Sequence, residues 1–279
     1  MPQTRQSQRW NTKKDKSQNM ISGPISTFAC DLKTGDYFPF HVHEHAQLVY
    51  ASRGLLKVTT RAAVYIVPPQ RAVWIPKGIE HRIDVYDKVS MRSLYINSAA
   101  TNARFSQPSV IMVSPLLREL ILTAVSIGNE YSANSPQSRI MEVILDQIVD
   151  QPGIALALPL PTDQRLLLIT QSLIKNPSDN RKLEEWANTV GASKRTLNRL
   201  FMLQTNLSFQ RWRQQLRLHQ GIELLSIGES VTRVALDLGY QNTSSFIAMF
   251  RRCLGTTPTE YLRTTGHSEF SETVSAKSP

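Results

Sequence analysis

Cysteine is nearly absent from this 279-residue chain: Cys30 and Cys253 are its only two. Two distant thiols build neither a metal-thiolate cluster nor a disulfide framework, so a reducing cytoplasm is the expected setting. Long apolar runs are missing as well. No stretch reaches membrane-spanning length and the first residues lack the apolar core of a secretion signal, so no membrane partner is expected. Acidic residues are few, 22 against 32 Lys and Arg, and the net charge of +10 favours a polyanionic partner such as nucleic acid.

The basic, polar stretch 1–20 has Trp10 as its one large apolar side chain and reads as a disordered tail. From Ile21 to Ser106, short alternating segments (LVYASRGLLKVTT, AVYIVPP, RAVWIP, HRIDVY, RSLYI) predict an antiparallel sandwich or barrel. Residues 107–151 change period. Leu116, Leu117, Leu120, Ile121, Ala124 and Val125 recur at three and four spacing, as do Ile140, Met141, Ile144, Leu145 and Ile148. They predict two amphipathic helices that cover the open face of the barrel. The run PGIALALPLPTD marks a Pro-punctuated linker at 152–162. Helical periods resume with Asp163 as N-cap and with Leu166, Leu167, Ile169, Leu173 and Ile174 as core positions. Ser178 or Asp179 is expected to open the next helix, which buries Leu183, Trp186, Ala187 and Val190.

The most informative stretch is SKRTLNRLFML, from Ser193 to Leu203. Ser193 suits an N-cap, and Leu197, Leu200, Phe201 and Gln204 form one inward stripe. The opposite stripe carries Arg195, Asn198, Arg199 and Met202, and Arg and Asn match the guanine and adenine edges of the major groove. With LEEWANTVGA ahead of it and Gly191 between, the pair reads as a helix-turn-helix. The plan repeats from Ser230, with Gly239 in the turn and Gly255 as C-cap. A longer helix joins the two units, with Ser208 as N-cap and Gly228 as stop. From Arg181 to Arg263 twelve Lys or Arg face six Asp or Glu, so an excess of six positive charges sits in this half.

Two such units on one connecting helix, with the pattern Gly239-Tyr240, Ser245-Phe246, Phe250-Arg251, Gly255-Thr256-Thr257-Pro258 and Tyr261, resemble the DNA-binding domain of AraC/XylS-type transcription regulators. The resemblance implies base contacts from Arg195, Asn198 and Arg199 in the first unit. In the second it points to Asn242, Thr243 and Ser244. Lys194, Arg213, Arg251 and Arg252 are the candidate phosphate contacts, Lys194 because it flanks a helix N-terminus. The second unit departs from the stronger pattern of the family: its inward stripe reads Ser245, Phe246, Met249, Phe250 and Cys253, and Ala248 stands where many relatives carry Arg. The first unit is therefore expected to set sequence choice, and the second to add mostly electrostatic affinity.

The first half resembles a cupin. Gly35, His41, His43, Gln47 and Gly54 reproduce the spacing of the first cupin motif, and Pro76-Lys77-Gly78 with His81 most of the second. Gln47 replaces the usual Glu, and Val85 the usual Asn. On one strand His41, His43 and Gln47 share parity and would project from one face, with His81 arriving from a distant strand. Imidazoles suit a divalent transition metal, with the Gln47 amide as a weak fourth donor. His45 shares the parity and could crowd or extend the site. The other reading is a metal-free effector pocket of His41, His43, His45, Gln47 and His81.

Together these resemblances imply a two-domain α+β protein. A cupin-like β-barrel (21–106) with a helical, dimer-forming pair (107–151) precedes an all-α domain of two helix-turn-helix units (163–264), and 265–279 is a polar tail. The expected function is that of a dimeric, effector-responsive transcription regulator and not an enzyme. The segments HVHEHAQLVYASRGLLKVTT, VPPQRAVWIP and HRI resemble a bacterial subgroup concerned with 2-nitroimidazole efflux. Its members tend to repress adjacent transporter genes, which implies repression of such a gene and of the regulator's own. An activator of a metabolic operon that contacts RNA polymerase, or a metal-dependent cupin enzyme with a DNA-binding appendage, are the alternatives.

Overall fold

The computed structural model describes residues 23–86, 88–97, 100, 106–148 and 156–264. The expected tails at 1–20 and 265–279, and residues 152–155 of the linker, lie outside these. The chain divides into two compact units, Met1–Arg61 with Tyr65–Ile154, and Ala62–Val64 with Ala155–Pro279.

The first unit is built from β1 (Ile25–Leu32), β2 (Tyr37–His41), β3 (Ala46–Arg53), β4 (Leu56–Thr60), β5 (Ala63–Val67), β6 (Arg71–Ile75), β7 (His81–Val85), β8 (Val89–Ile96) and β9 (Ser109–Met112). Helices α1 (Pro115–Ile127) and α2 (Pro136–Gln147) follow. The strands form a sandwich of two sheets. One runs β1-β8-β3-β6-β9; the other runs β5-β4-β7-β2. β3 is buried on both faces. Ala46, Leu48 and Tyr50 meet Leu117, Ile121, Met141 and Ile144 of the helical pair, while Gln47, Val49 and Ala51 turn toward the opposing sheet. The helices therefore lie on the outer face of the first sheet and close no barrel mouth. Ser114 and Ser135 cap them, each hydroxyl accepting an N–H of the first turn. Leu116 points to solvent instead of the core, 55% exposed.

Two strands appear where none was expected. β9 pairs with β6 beyond residue 106, and in the second unit β10 (Ala157–Pro159) occupies part of the linker, with the Leu160 N–H donating to the Ala62 carbonyl of the same unit at 2.8 Å. Both are short, too brief for their alternation to stand out from a loop. In the turn that carries the chain from β3 in one sheet to β4 in the other, Gly54 takes a left-handed φ of 82°, and a Cβ there would sit 2.3 Å from the Lys88 carbonyl. Only glycine fits that turn.

The second unit adds α3 (Gln164–Lys175), α4 (Leu183–Thr189), α5 (Lys194–Thr205), α6 (Phe209–Ser226), α7 (Val231–Asp237), α8 (Thr243–Leu254) and α9 (Pro258–Thr264). Asp163 caps α3 as expected, and Ser193, Ser208 and Ser230 cap α5, α6 and α7. α4 starts later than Ser178 or Asp179: Lys182 is its N-cap, and the Glu185 carboxylate accepts the Lys182 N–H at 2.7 Å. Asp179 is occupied by the Arg181 N–H and guanidinium, and residues 177 and 178 form a turn. Leu166, Ile169, Leu173, Trp186, Leu197, Phe201, Phe209 and Trp212 share one core, whereas Ile174 lies outside it, 40% exposed. Burying each such Leu contributes about 2 kcal/mol. Trp212 donates its indole N–H to the Pro159 carbonyl at 2.7 Å.

Candidate nucleic-acid interface and histidine cluster

In the first helix-turn-helix, α4 and α5 flank Gly191, and α5 buries Leu197, Leu200 and Phe201. Lys194, Arg195, Asn198, Arg199 and Met202 all stand exposed on the other side. Among the described residues none forms a hydrogen bond or ion pair with Arg195, Asn198 or Arg199, so their donors face outward together. Lys194 differs: its ammonium pairs with the Glu184 carboxylate at 2.5 Å, and both side chains are more than half exposed. A surface pair of this kind contributes little and yields readily to a phosphate.

In the second unit, α8 buries Phe246, Met249 and Phe250. Ser245, expected on the inward stripe, is exposed, because it sits in the first turn where its N–H and hydroxyl both donate to the Asn242 amide oxygen at 2.8 and 2.9 Å. Asn242 is thus the helix cap, and its oxygen is occupied there. Thr243 is half-buried and Ser244 exposed. Ser244, Ile247, Ala248, Arg251, Arg252 and Thr257 line one shallow concavity. Its floor is apolar and its rim cationic. Arg213 is placed differently from a phosphate contact. It is half-buried, donates to the Arg181 carbonyl at 2.8 Å and lies over the Phe209 ring, and burial pushes its pKa down. Its guanidinium is engaged inside the domain.

In the first unit the structure brings His41, His43 and His81 together, with one ring nitrogen from each within 4.8 Å of the others. The route differs from shared strand parity. β2 ends at His41, and residues 42–45 form a loop that carries the chain from one sheet to the other. His43 comes from that loop, Gln47 from β3, and His81 is the direct cross-strand neighbour of His41 on β7. His41 Nδ1 donates to the Pro39 carbonyl at 2.6 Å and His81 Nδ1 to the Ile79 carbonyl at 3.0 Å. A carbonyl can only accept, so both rings carry their proton on Nδ1 and keep a lone pair on Nε2. That arrangement orients a metal-binding imidazole.

His81 Nε2 lies 2.9 Å from the Gln47 amide oxygen, two acceptors face to face. Either the amide is turned, presenting NH2 to His81 and its oxygen to the Tyr95 hydroxyl, or a cation lies between them. Burial pushes His43 down to about 3, helped by the neighbouring His41 and His81, and pushes His81 down to about 4, helped by His41. Neutral imidazoles of this kind are what a cation requires. The set fits a divalent transition ion: three imidazole donors, two with fixed tautomers, and one amide oxygen. His45 is half-buried beyond this set, its Nδ1 without a partner among the described residues. Sequence reasoning missed Tyr95, which pairs with Gln47 across β3 and β8 and packs its ring 4.9 Å from His43. Register was the signal, and it is invisible before the strands are paired.

A sandwich with an attached helical pair, and a helical unit carrying two helix-turn-helix motifs, define a class. A helix-turn-helix domain model matches residues 186–264, and an AraC-like ligand-binding domain model matches residues 31–148. The chain belongs to the AraC family of DNA-binding transcriptional regulators. Among its relatives, the HTH-type transcriptional regulator NimR of Escherichia coli K12 is 36% identical over 224 residues, covering 80% of this chain and 82% of NimR. The HTH-type transcriptional regulator RipA of Corynebacterium glutamicum is 40% identical over 108 residues, 39% of this chain and 32% of its own. The solved structure of ToxT from Vibrio cholerae O395 covers 87% of this chain and 98% of its own at 12% identity, with a TM-score of 0.38, too low to carry function across. Among the described residues no helix is long and apolar enough to cross a membrane.

Proposed function

We propose that this regulator is a homodimeric, effector-responsive repressor of an adjacent drug-efflux transporter gene and of its own gene. The observation that carries the DNA-reading part is the exposed row Arg195, Asn198 and Arg199 on a capped helix whose other face is fully engaged. These three read base edges. Lys194, Arg251 and Arg252 hold phosphates, and Arg213 leaves that set for the reason given above. The α8 concavity offers Ser244 as a hydroxyl donor and Ile247 with Ala248 for thymine methyl groups, and Thr243 adds a second hydroxyl at the start of the helix. Two reading helices on one connector enter successive major grooves, about 34 Å apart. The similarity to NimR along most of both chains supports the assignment to this branch of the family. Footprinting on the intergenic DNA beside the gene is the test. Protection of about two helical turns per subunit is expected; protection of a single turn would overturn the two-helix reading.

The histidine cluster is the effector site. His41, His43 and His81, with Gln47, would hold a divalent ion, which when bound supplies a Lewis-acid anchor for an oxygen or nitrogen donor of the effector. The chain's own groups orient that anchor through Pro39, Ile79 and Tyr95. Elemental analysis of purified protein should find metal in the wild type and in His45→Ala but none in His43→Ala or His81→Ala. Equal metal in all four would reduce the cluster to a polar pocket.

A further inference from the structure

Two arginines of the connecting helix reach the same short segment of chain. Arg217 Nε donates to the Pro177 carbonyl at 2.9 Å, its Nη2 reaches the Asp179 carbonyl at 3.3 Å, and Arg213 Nη1 donates to the Arg181 carbonyl at 2.8 Å. Residues 177–181 open in a turn, closed by the Asp179 N–H on the Asn176 carbonyl, and offer every second carbonyl to α6. Arg217 is 8% exposed, although it carries a charge. Buried charge is costly unless matched this fully, so the contact set is specific.

The segment faces a second element as well. Asn180 accepts from Arg217 Nη2 at 2.9 Å through Oδ1 and donates to the Gly239 carbonyl at 3.1 Å through Nδ2. Gly239 is the turn of the second helix-turn-helix, with φ at 77°, and a Cβ there would meet the Ser178 carbonyl at 2.6 Å. Backbone lies directly on backbone. The Arg217 guanidinium also lies over the Tyr240 ring, next to that turn. At its other end the segment feeds α4, the first helix of the first unit, and the Arg181 guanidinium covers the Trp186 ring of α4 at 3.6 Å.

We infer that residues 177–181, clasped by Arg217 and Asn180, fix the setting of one DNA-reading unit against the other, so that Arg217 and Asn180 are positioning residues for the spacing of the operator's two boxes. Neither touches a base. They act by tying the turn of the second unit to the entry of the first, leaving α6 less freedom to bend between α5 and α8. This rests on the DNA-reading function proposed above. A protein so clasped reads two boxes at one separation and penalises a spacer that is one base pair longer or shorter. Without the clasp the same two helices bind each box as well but tolerate a changed spacer.

The test selects DNA from a random pool with full-length wild-type protein, then measures binding to the selected duplex, to spacers longer or shorter by one base pair, and to a duplex with one box. Wild type should lose about tenfold when the spacer changes. Asn180→Ala, an exposed residue that the fold tolerates, should cut that loss to about threefold or less with single-box binding unchanged. Arg217→Lys, which keeps the charge and loses the fork, should do the same, and thermal melts confirm that both variants are folded. Spacer discrimination as strong as in the wild type, or an equal loss on every duplex, overturns the clasp while the DNA-reading function stands. Selection of single-box DNA only, or of none, by the wild type removes the reading on which the clasp rests.

Discussion

α5 and α8 are both twelve-residue helices opened by a polar N-cap; α5 buries Leu197, Leu200 and Phe201, and α8 buries Phe246, Met249 and Phe250. On their outer faces they part. α5 presents Arg195, Asn198 and Arg199; α8 presents Ser244, Ile247 and Ala248, with Arg251 and Arg252 only near its C-terminal end. Folding and the proposed base reading therefore fall to different stripes of the same helix, and one stripe can change without disturbing the other. A helix can hold its place in the domain while presenting few bidentate donors.

The largest effects should show where the two units are alike. Phe201→Ala and Phe250→Ala each empty a fully buried site and should each cost about 3–5 kcal/mol in chemical denaturation. A marked inequality would mean that one unit is held less firmly. Next comes the face on which they differ. Arg199→Ala should cost about 1–3 kcal/mol on the operator and relax preference at one base, whereas Arg252→Ala should weaken operator and unrelated DNA alike and lower the salt slope by about 1. Equal losses on both DNAs for Arg199→Ala would erase the contrast. The smallest effect separates capping from reading at α8. Asn242→Ala should lower stability by about 1 kcal/mol, since its oxygen holds two donors of Ser245, and leave base preference unchanged. A changed preference in a binding-site selection would restore Asn242 as a reader.

How far the sequence reveals these features depends on how local their causes are. Serine caps, the α5 stripe and the double helix-turn-helix are written in neighbours three and four residues apart, and they were legible. The histidines were legible as a group through motif spacing, but the geometry behind them was not. A loop at 42–45 changes sheets, which strand parity cannot anticipate. Spacing alone places Ser245 inward, but the helix start at Asn242 decides which positions belong to the solvated first turn. Lys182 is a poor N-cap by type, whereas Ser178 and Asp179 suit one by type but spend their side chains on their own loop. Tyr95 and the contacts of Arg217 depend on strand register and on helix placement dozens of residues away, so no window of sequence contains them.

The indoles of the second unit carry a practical consequence. Trp186 lies beneath the Arg181 guanidinium, and Trp212 is fully buried with its N–H on the Pro159 carbonyl. Both are shielded from water, so their emission should be blue-shifted in the folded domain and move to the red on unfolding. Replacing Trp10 and Trp74 by Phe would leave a chain whose fluorescence reports on the DNA-reading unit alone. The Arg181 contact also makes Trp186 sensitive to any shift of the 177–181 segment, so loosening of that segment in a variant is read directly from its emission, without a dye.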